Sequence, residues 1–261
     1  MAKHEKKSKK GIWLWIGIVV CVCVMLYAGS EIYTQTKDYA QGDQVYGTLQ
    51  DAVVKQDAAP GQQDVQGGLP DTGGAAAERI DVAALRQYSG GAVAWIYSED
   101  TVIDYPVMQG TDNSYYLTHL YDGTSNKVGA IFLDYRNASD FSDRNSVLYG
   151  HHMKSGKMFA SLEGYKDQGY YNKHTHLFLY TQGGTYRIDL LAGYVVDGGA
   201  NDIDFNPDDG ALQAFVAEAK QKSTFSSGVT VAAGDRLVTM VTCTYDFQNA
   251  RYALVGKLSK I

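Results

Sequence analysis

The sequence predicts a mainly β domain, a closed or nearly closed eight-stranded barrel with N-terminal helices before it and one further helix within it. Short runs rich in Val, Ile, Thr and aromatic residues recur at 92–97, 101–108, 128–134, 146–149, 177–181, 185–196, 236–243 and 252–258. Turn residues separate them, and they lack the long helical crossovers that a parallel α/β sheet needs. The segment 79–261 has an ordinary size for one hydrophobic core.

Residues 1–10 hold five lysines against one acid, Glu5. Residues 11–29 carry no charge and include Trp13 and Trp15. That length suits one membrane span, and the lysines before it place the N-terminus in the cytoplasm and the rest outside. Ala28, Gly29 and Ser30 are small enough for a signal peptidase. The apolar run exceeds the 7–15 residues of a signal core, so an uncleaved anchor is expected.

Over 30–56, Ile32, Tyr39, Tyr46 and Val53 recur every seven residues, with Leu49 between the last two. The pattern fits a helical stalk with a narrow apolar stripe, which Gly42 and Gly47 weaken by about 1 kcal/mol each. Residues 57–78 are rich in Gly, Ala, Gln and Asp and read as a flexible linker. In the domain that follows, Asp81 can cap a short helix through Tyr88. Leu212, Phe215, Val216 and Ala219 have helical spacing within 207–222.

The β-branched run before Cys243 and the run opening at Arg251 read as strand, turn, strand. Folded back as a hairpin, the thiol and the guanidinium share one rim, since facing residues on paired strands lie about 5 Å apart. A thiol can attack a carbonyl while a guanidinium donates to its developing negative oxygen. The plainer reading of this stretch is a buried cysteine and a surface arginine. Cys21 and Cys23 fall inside the apolar run, so Cys243 is the lone thiol of the exported part and has no internal disulfide partner.

The thiol needs a base. His151 follows a short β run and Gly150. His4 lies in the basic tail, while His119, His174 and His176 sit in polar, turn-rich stretches and read as solvated. Arginine cannot act as a base. Cys243 is therefore the candidate nucleophile, His151 the candidate acid and base, with the adjacent His152 as the alternative because only one ring of the pair can face the thiol, and Arg251 the oxyanion donor. No Cys/His spacing suits zinc, and no cofactor is expected. The net charge of −6, with no basic patch outside the tail, argues against a nucleic-acid partner.

Thr-Met-Val-Thr-Cys at 239–243, Arg251 eight residues on, and Tyr-Gly-His at 149–151 together resemble the sortases, cysteine transpeptidases of Gram-positive surfaces. Ile-Asp-Tyr-Pro-Val-Met-Gln-Gly at 103–110, Asn-Ser-Tyr-Tyr-Leu-Thr-His at 113–119, Ile-Phe-Leu-Asp-Tyr-Arg-Asn at 131–137 and Met-Phe-Ala-Ser-Leu at 158–162 resemble the class B branch. The resemblance spans roughly residue 80 to the end of the chain. It implies a sortase-type barrel whose helix between strands six and seven flanks the substrate groove, and the same roles for Cys243, His151 and Arg251. It also implies partners: surface proteins bearing a C-terminal sorting signal cut after Thr, and an acceptor amine on a peptidoglycan precursor or a pilin. Val241 is a departure, since class B enzymes usually carry Ser two residues before the cysteine; this leaves the sorting motif open.

Leu69-Pro70-Asp71-Thr72-Gly73 spells a pentapeptide that many sortases cut. It reads either as a solvated turn or as a tethered segment that visits the Cys243 cleft and is cleaved after Thr72. Two other functional classes stay open: a hydrolytic cysteine peptidase using the same residues, and a non-catalytic surface module with a redox thiol. The Ser-x-Gly-Cys stretch usual in L,D-transpeptidases is absent.

Overall fold

A computed structural model describes residues 9–55, 79–199 and 204–261. The linker at 57–78 and its pentapeptide at 69–73 lie outside the described residues. Helix α1 (Lys9–Val53) is continuous, because no proline precedes Pro60 to stop it. It runs from the apolar segment into the stalk without a break. Among the described residues it is the one helix long and apolar enough to cross a membrane.

The stripe packs from Tyr39 onward, and Tyr39 itself is half-buried against the core. Tyr46, Leu49 and Val53 are buried, whereas Ile32 is 65% exposed. The Tyr46 hydroxyl donates to the Gly129 carbonyl (2.7 Å), and Asn126 Nδ2 donates to the Asp38 carbonyl (3.0 Å). Gly42, unfavourable for the helix alone, has a packing role. A Cβ there would sit 3.1 Å from Val128 Cγ2, so its absence lets α1 lie close against the domain.

Asp81 caps α2 (Val82–Tyr88), its Oδ1 accepting from Ala84 N (2.9 Å). The strands are β1 (Ala92–Tyr97), β2 (Asp104–Met108), β3 (Ile131–Leu133), β4 (Asn145–Tyr149), β5 (His176–Thr181), β6 (Gly184–Asp197), β7 (Arg236–Cys243) and β8 (Ala250–Lys260). They close a barrel in the order β1-β2-β3-β4-β7-β8-β6-β5. The β2–β3 and β4–β7 pairs are parallel, the others antiparallel. Trp95 is fully buried in the core, and its Nε1 donates to Asp104 Oδ1 (2.7 Å). A smaller apolar cluster, including Leu191, Leu237 and Val255, lies beneath a helix between β6 and β7, α4 (Asp209–Lys222).

Two strands are shorter than their β-prone runs. Thr101 Oγ1 accepts from Ile103 N (3.1 Å) and Ser98 N donates to the Ile103 carbonyl (2.8 Å), so a turn precedes β2. Asn126 folds 126–129 into another turn before β3, accepting from Val128 N (2.9 Å) and Gly129 N (3.1 Å). The sequence gives no periodic signal for the 3-10 segments Tyr115–Leu117 and Phe159–Lys166 or for α3 (Gln168–Lys173). Three histidines expected to be solvated are half-buried instead. His119 stacks on Tyr115 (centroids 4.0 Å apart), His174 lies against Tyr170, and burial, aided by Arg187, pushes the His176 imidazole below its usual range.

The docking of α1 is tested by Leu49→Ala. Loss of a fully buried leucine is expected to cost about 2–5 kcal/mol in denaturant unfolding. Ile32→Ala, at an exposed position, is expected to change stability by less than about 0.5 kcal/mol.

Candidate active site

Strand β7 carries Cys243 at its C-terminal end, and in the β7–β8 register Cys243 pairs directly with Arg251. The hairpin expected from sequence is therefore present, with thiol and guanidinium on facing residues. Both side chains are half-buried. Arg251 Nη1 donates to the Ala250 carbonyl (3.0 Å), and among the described residues no carboxylate forms an ion pair with it.

His151 arrives from the other side of β7. In the parallel β4–β7 ladder Tyr149 is opposite Val241, and Gly150 N extends the pairing to the Val241 carbonyl (3.2 Å). His151 follows two residues past the end of β4 and shares one cavity with Cys243. Adjacent strands lie about 4.8 Å apart, so β7 and β8 present Cys243 and Arg251 side by side, and the loop after β4 adds His151 to the same cavity. Gly150 is needed here, because a Cβ would stand 2.7 Å from the ring of the buried Phe159. His151 Nε2 lies 2.7 Å from the Leu117 carbonyl. A carbonyl only accepts, so Nε2 carries a proton and Nδ1 is the ring nitrogen left to exchange one.

His151, Cys243 and Arg251 line one cavity of about 470 Å³, with Asn113, Leu117 and Phe132 in its walls. A second cavity, of about 520 Å³, runs from it beneath α4; Tyr149, Gly198, Val241 and Arg251 belong to both. Its further lining is largely apolar, with Tyr194, Val196, Phe215 and Ala253. The adjacent His152 takes no part in the cavity holding Cys243. Its Nε2 is 3.4 Å from Glu163 Oε2, and its ring lies against Tyr245.

Two polar groupings that sequence reasoning missed hold these walls. The Asp134 side chain is fully buried. It accepts from Arg136 Nε (2.9 Å) and Nη2 (2.8 Å), Asn113 Nδ2 (2.8 Å) and the Tyr149 hydroxyl (3.1 Å). Burial alone would raise its carboxyl; the hydrogen bonds from Arg136 and Asn113 outweigh that and hold it below the usual range. Burial, with Asp134, raises the Tyr149 phenol. Behind Cys243, Lys166 Nζ donates to Glu163 (2.8 Å), Asp246 (2.6 Å) and Thr244 Oγ1 (2.9 Å), tying down the β7–β8 loop. Only the Ile-Phe-Leu-Asp stretch hinted at Asp134; nothing local marked Glu163 or Lys166. Among the described residues no group of His, Cys, Asp and Glu could hold a metal.

Residues 96–259 match the family model described as Sortase domain. The chain is 36% identical over 185 residues to Sortase B of Listeria monocytogenes, covering 69% of this chain and 74% of that protein. Sortase B of Staphylococcus aureus is 34% identical over 187 residues, covering 70% and 76% respectively. The crystal structure of sortase B from B. anthracis superposes with a TM-score of 0.70 at 30% identity, over 87% of this chain and 100% of that one.

The lowered Asp134 carboxyl has a testable consequence. Its contribution to stability is complete above the ordinary carboxylate value near 3.9 and is lost as pH falls through the lower folded value. Thermal unfolding followed from about pH 5 to about pH 2 is expected to show a shallower acid loss in Asp134→Asn than in the wild type.

Proposed function

Since the chain belongs to the sortase family, we propose that it is a membrane-anchored, extracytoplasmic class B transpeptidase. It cuts a C-terminal sorting signal after Thr and passes the acyl group to an amine of a peptidoglycan precursor or a pilin. The observation that carries this reading is the convergence of Cys243 on β7, Arg251 on β8 and His151, two residues past the end of β4, on one cavity. The acyl segment of the sorting signal lies in the apolar groove under α4, whose lining also includes Arg251.

Cys243 Sγ attacks the threonine carbonyl carbon, and Arg251 donates to the oxygen as it turns negative. His151 protonates the departing nitrogen, leaving a thioester on Cys243. It later takes the proton of the incoming amine. The Leu117 carbonyl keeps the ring in one orientation throughout. Val241 makes the floor beside the thiol apolar where a class B enzyme usually has a hydroxyl, so the preferred motif differs at the residue lying over it. Residues 11–29, within the apolar part of α1, form the anchor.

The test is product analysis of sorting peptides by mass spectrometry, with and without added amine. Cys243→Ala is expected to abolish both cleavage and transfer. His151→Ala is expected to lose at least about 100-fold, and His152→Ala much less. Arg251→Lys keeps the charge but loses the planar fork, with an expected loss of about 100-fold, the scale of one oxyanion donor. Cleavage with no transfer at any amine concentration would identify a hydrolase instead. Turnover retained in Cys243→Ala would remove the assignment.

A further inference from the structure

A third cavity, of about 370 Å³, lies between α1 and the loops that follow β4 and β7. Glu31, Ile32 and Gln35 line it from the helix, and Met153, Lys154 and Tyr245 from the loops. Because α1 is unbroken, this cavity fixes the height of the domain's rim above the apolar segment. At a rise of about 1.5 Å per residue the uncharged run 11–29 is roughly 28 Å long, close to the roughly 30 Å of a bilayer's hydrocarbon core. Lys10 before it and Glu31 after it leave the run little room to slide. Glu31 and Gln35 then stand roughly 3 and 9 Å beyond Gly29, within or just above a headgroup layer roughly 5–8 Å thick, whereas Val53 stands roughly 36 Å beyond it.

The loops that share the cavity with Glu31 and Gln35 sit at the same height. Tyr245 is 72% exposed, although its ring lies against His152, and Phe247 on the same loop is exposed too. On α1, Tyr27 and Tyr33 flank the end of the uncharged run and are exposed. Lys127 and Lys154, both exposed, border the cavity, and among the described residues neither forms an ion pair. Aromatic rings at the edge of an apolar span, with lysines beside them, suit a membrane interface. We propose that this rim docks on the outer leaflet of the bilayer that α1 crosses, with Tyr245 and Phe247 in the headgroup layer and Lys127 and Lys154 on lipid phosphates. The inference rests on the membrane-anchored reading above and adds a second contact with the bilayer. The acids of the cavity, Glu31 and Asp38, offset the two lysines, so burial of the aromatic rings rather than net charge holds the contact. His151 belongs both to this cavity and to the one that holds Cys243. The reaction cavity therefore opens at the bilayer surface, where substrates anchored in the same leaflet meet it without leaving the interface.

The experiment uses the full-length chain in vesicles of equal parts phosphatidylcholine and phosphatidylglycerol. Cys21, Cys23 and Cys243 are replaced by Ala, so that one introduced thiol carries a fluorophore, and lipids spin-labelled at the headgroup are the quencher. A label at Ser155→Cys, exposed beside Lys154, is expected to be quenched nearly as strongly as one at Ser30→Cys, at the end of the span. A label at Gln87→Cys is expected to escape quenching, since α2 is tied to the far end of α1 by the Asp81 N to Val53 carbonyl hydrogen bond (2.9 Å). Adding Tyr245→Ser and Phe247→Ser is expected to cut the quenching at 155 by about half, because two interfacial rings are lost. No quenching at 155, quenching at 87 that equals it, or quenching at 155 that the double variant leaves unchanged would overturn the docking. No quenching at 30 would instead overturn the membrane-anchored reading.

Discussion

Backbone pairing across β4, β7 and β8 is the constraint on which the site depends. Along β7, Val238 and Met240 point into the core while Thr239, Val241 and Cys243 line the cavities. This is the two-residue alternation of a strand, with one face on the barrel core and the other toward α4 and the cavities. A slip of one residue would turn Cys243 inward and push core side chains out, so core burial fixes the register. The antiparallel partner then supplies Arg251, and the parallel partner supplies His151. The geometry needed for acyl transfer is thereby inherited from the barrel.

The rest of the molecule keeps that rim in place. Asp134 joins Asn113, Arg136 and Tyr149 under one wall, and Lys166 with Glu163 holds the loop that follows Cys243. Glu163 also lies beside His152, the neighbour of His151 on the adjoining loop. Elements far apart in sequence are thus linked within hydrogen-bonding distance behind Cys243 and His151. Helix α1 adds a further wall, and its buried Tyr46, Leu49 and Val53 hold it there. Because the helix is continuous, the docked end sets how far the apolar segment lies from the cavity that holds Cys243.

Much of this was legible in the sequence, for reasons that differ by element. Eight strands follow from local β-branched runs, and the helix Asp209–Lys222 from its apolar spacing. The Cys243–Arg251 pair was legible because a hairpin joins residues close in sequence. The placement of His151 was not: the β run and Gly150 singled out the residue, but a parallel ladder brings together segments that no turn connects, so nothing local showed its neighbour. The Leu117 carbonyl carries no residue signature, since any residue has one. Strand ends at 101–103 and 128–130 were misjudged because side-chain turns at Thr101 and Asn126 override the β propensity of their neighbours. Gly42 read as a helix weakness because its packing partner, Val128, is distant in sequence.

The register that sets His151 beside Cys243 is open to a measurement independent of activity. Neighbouring strands bring Cα atoms within the roughly 7 Å that a disulfide can bridge. In His151→Cys, mild oxidation followed by tryptic digestion and mass spectrometry is expected to yield a disulfide-linked peptide joining positions 151 and 243. In His152→Cys, whose side chain turns toward Glu163, that link is expected to be absent. A 152–243 disulfide, or none at 151, would contradict the account.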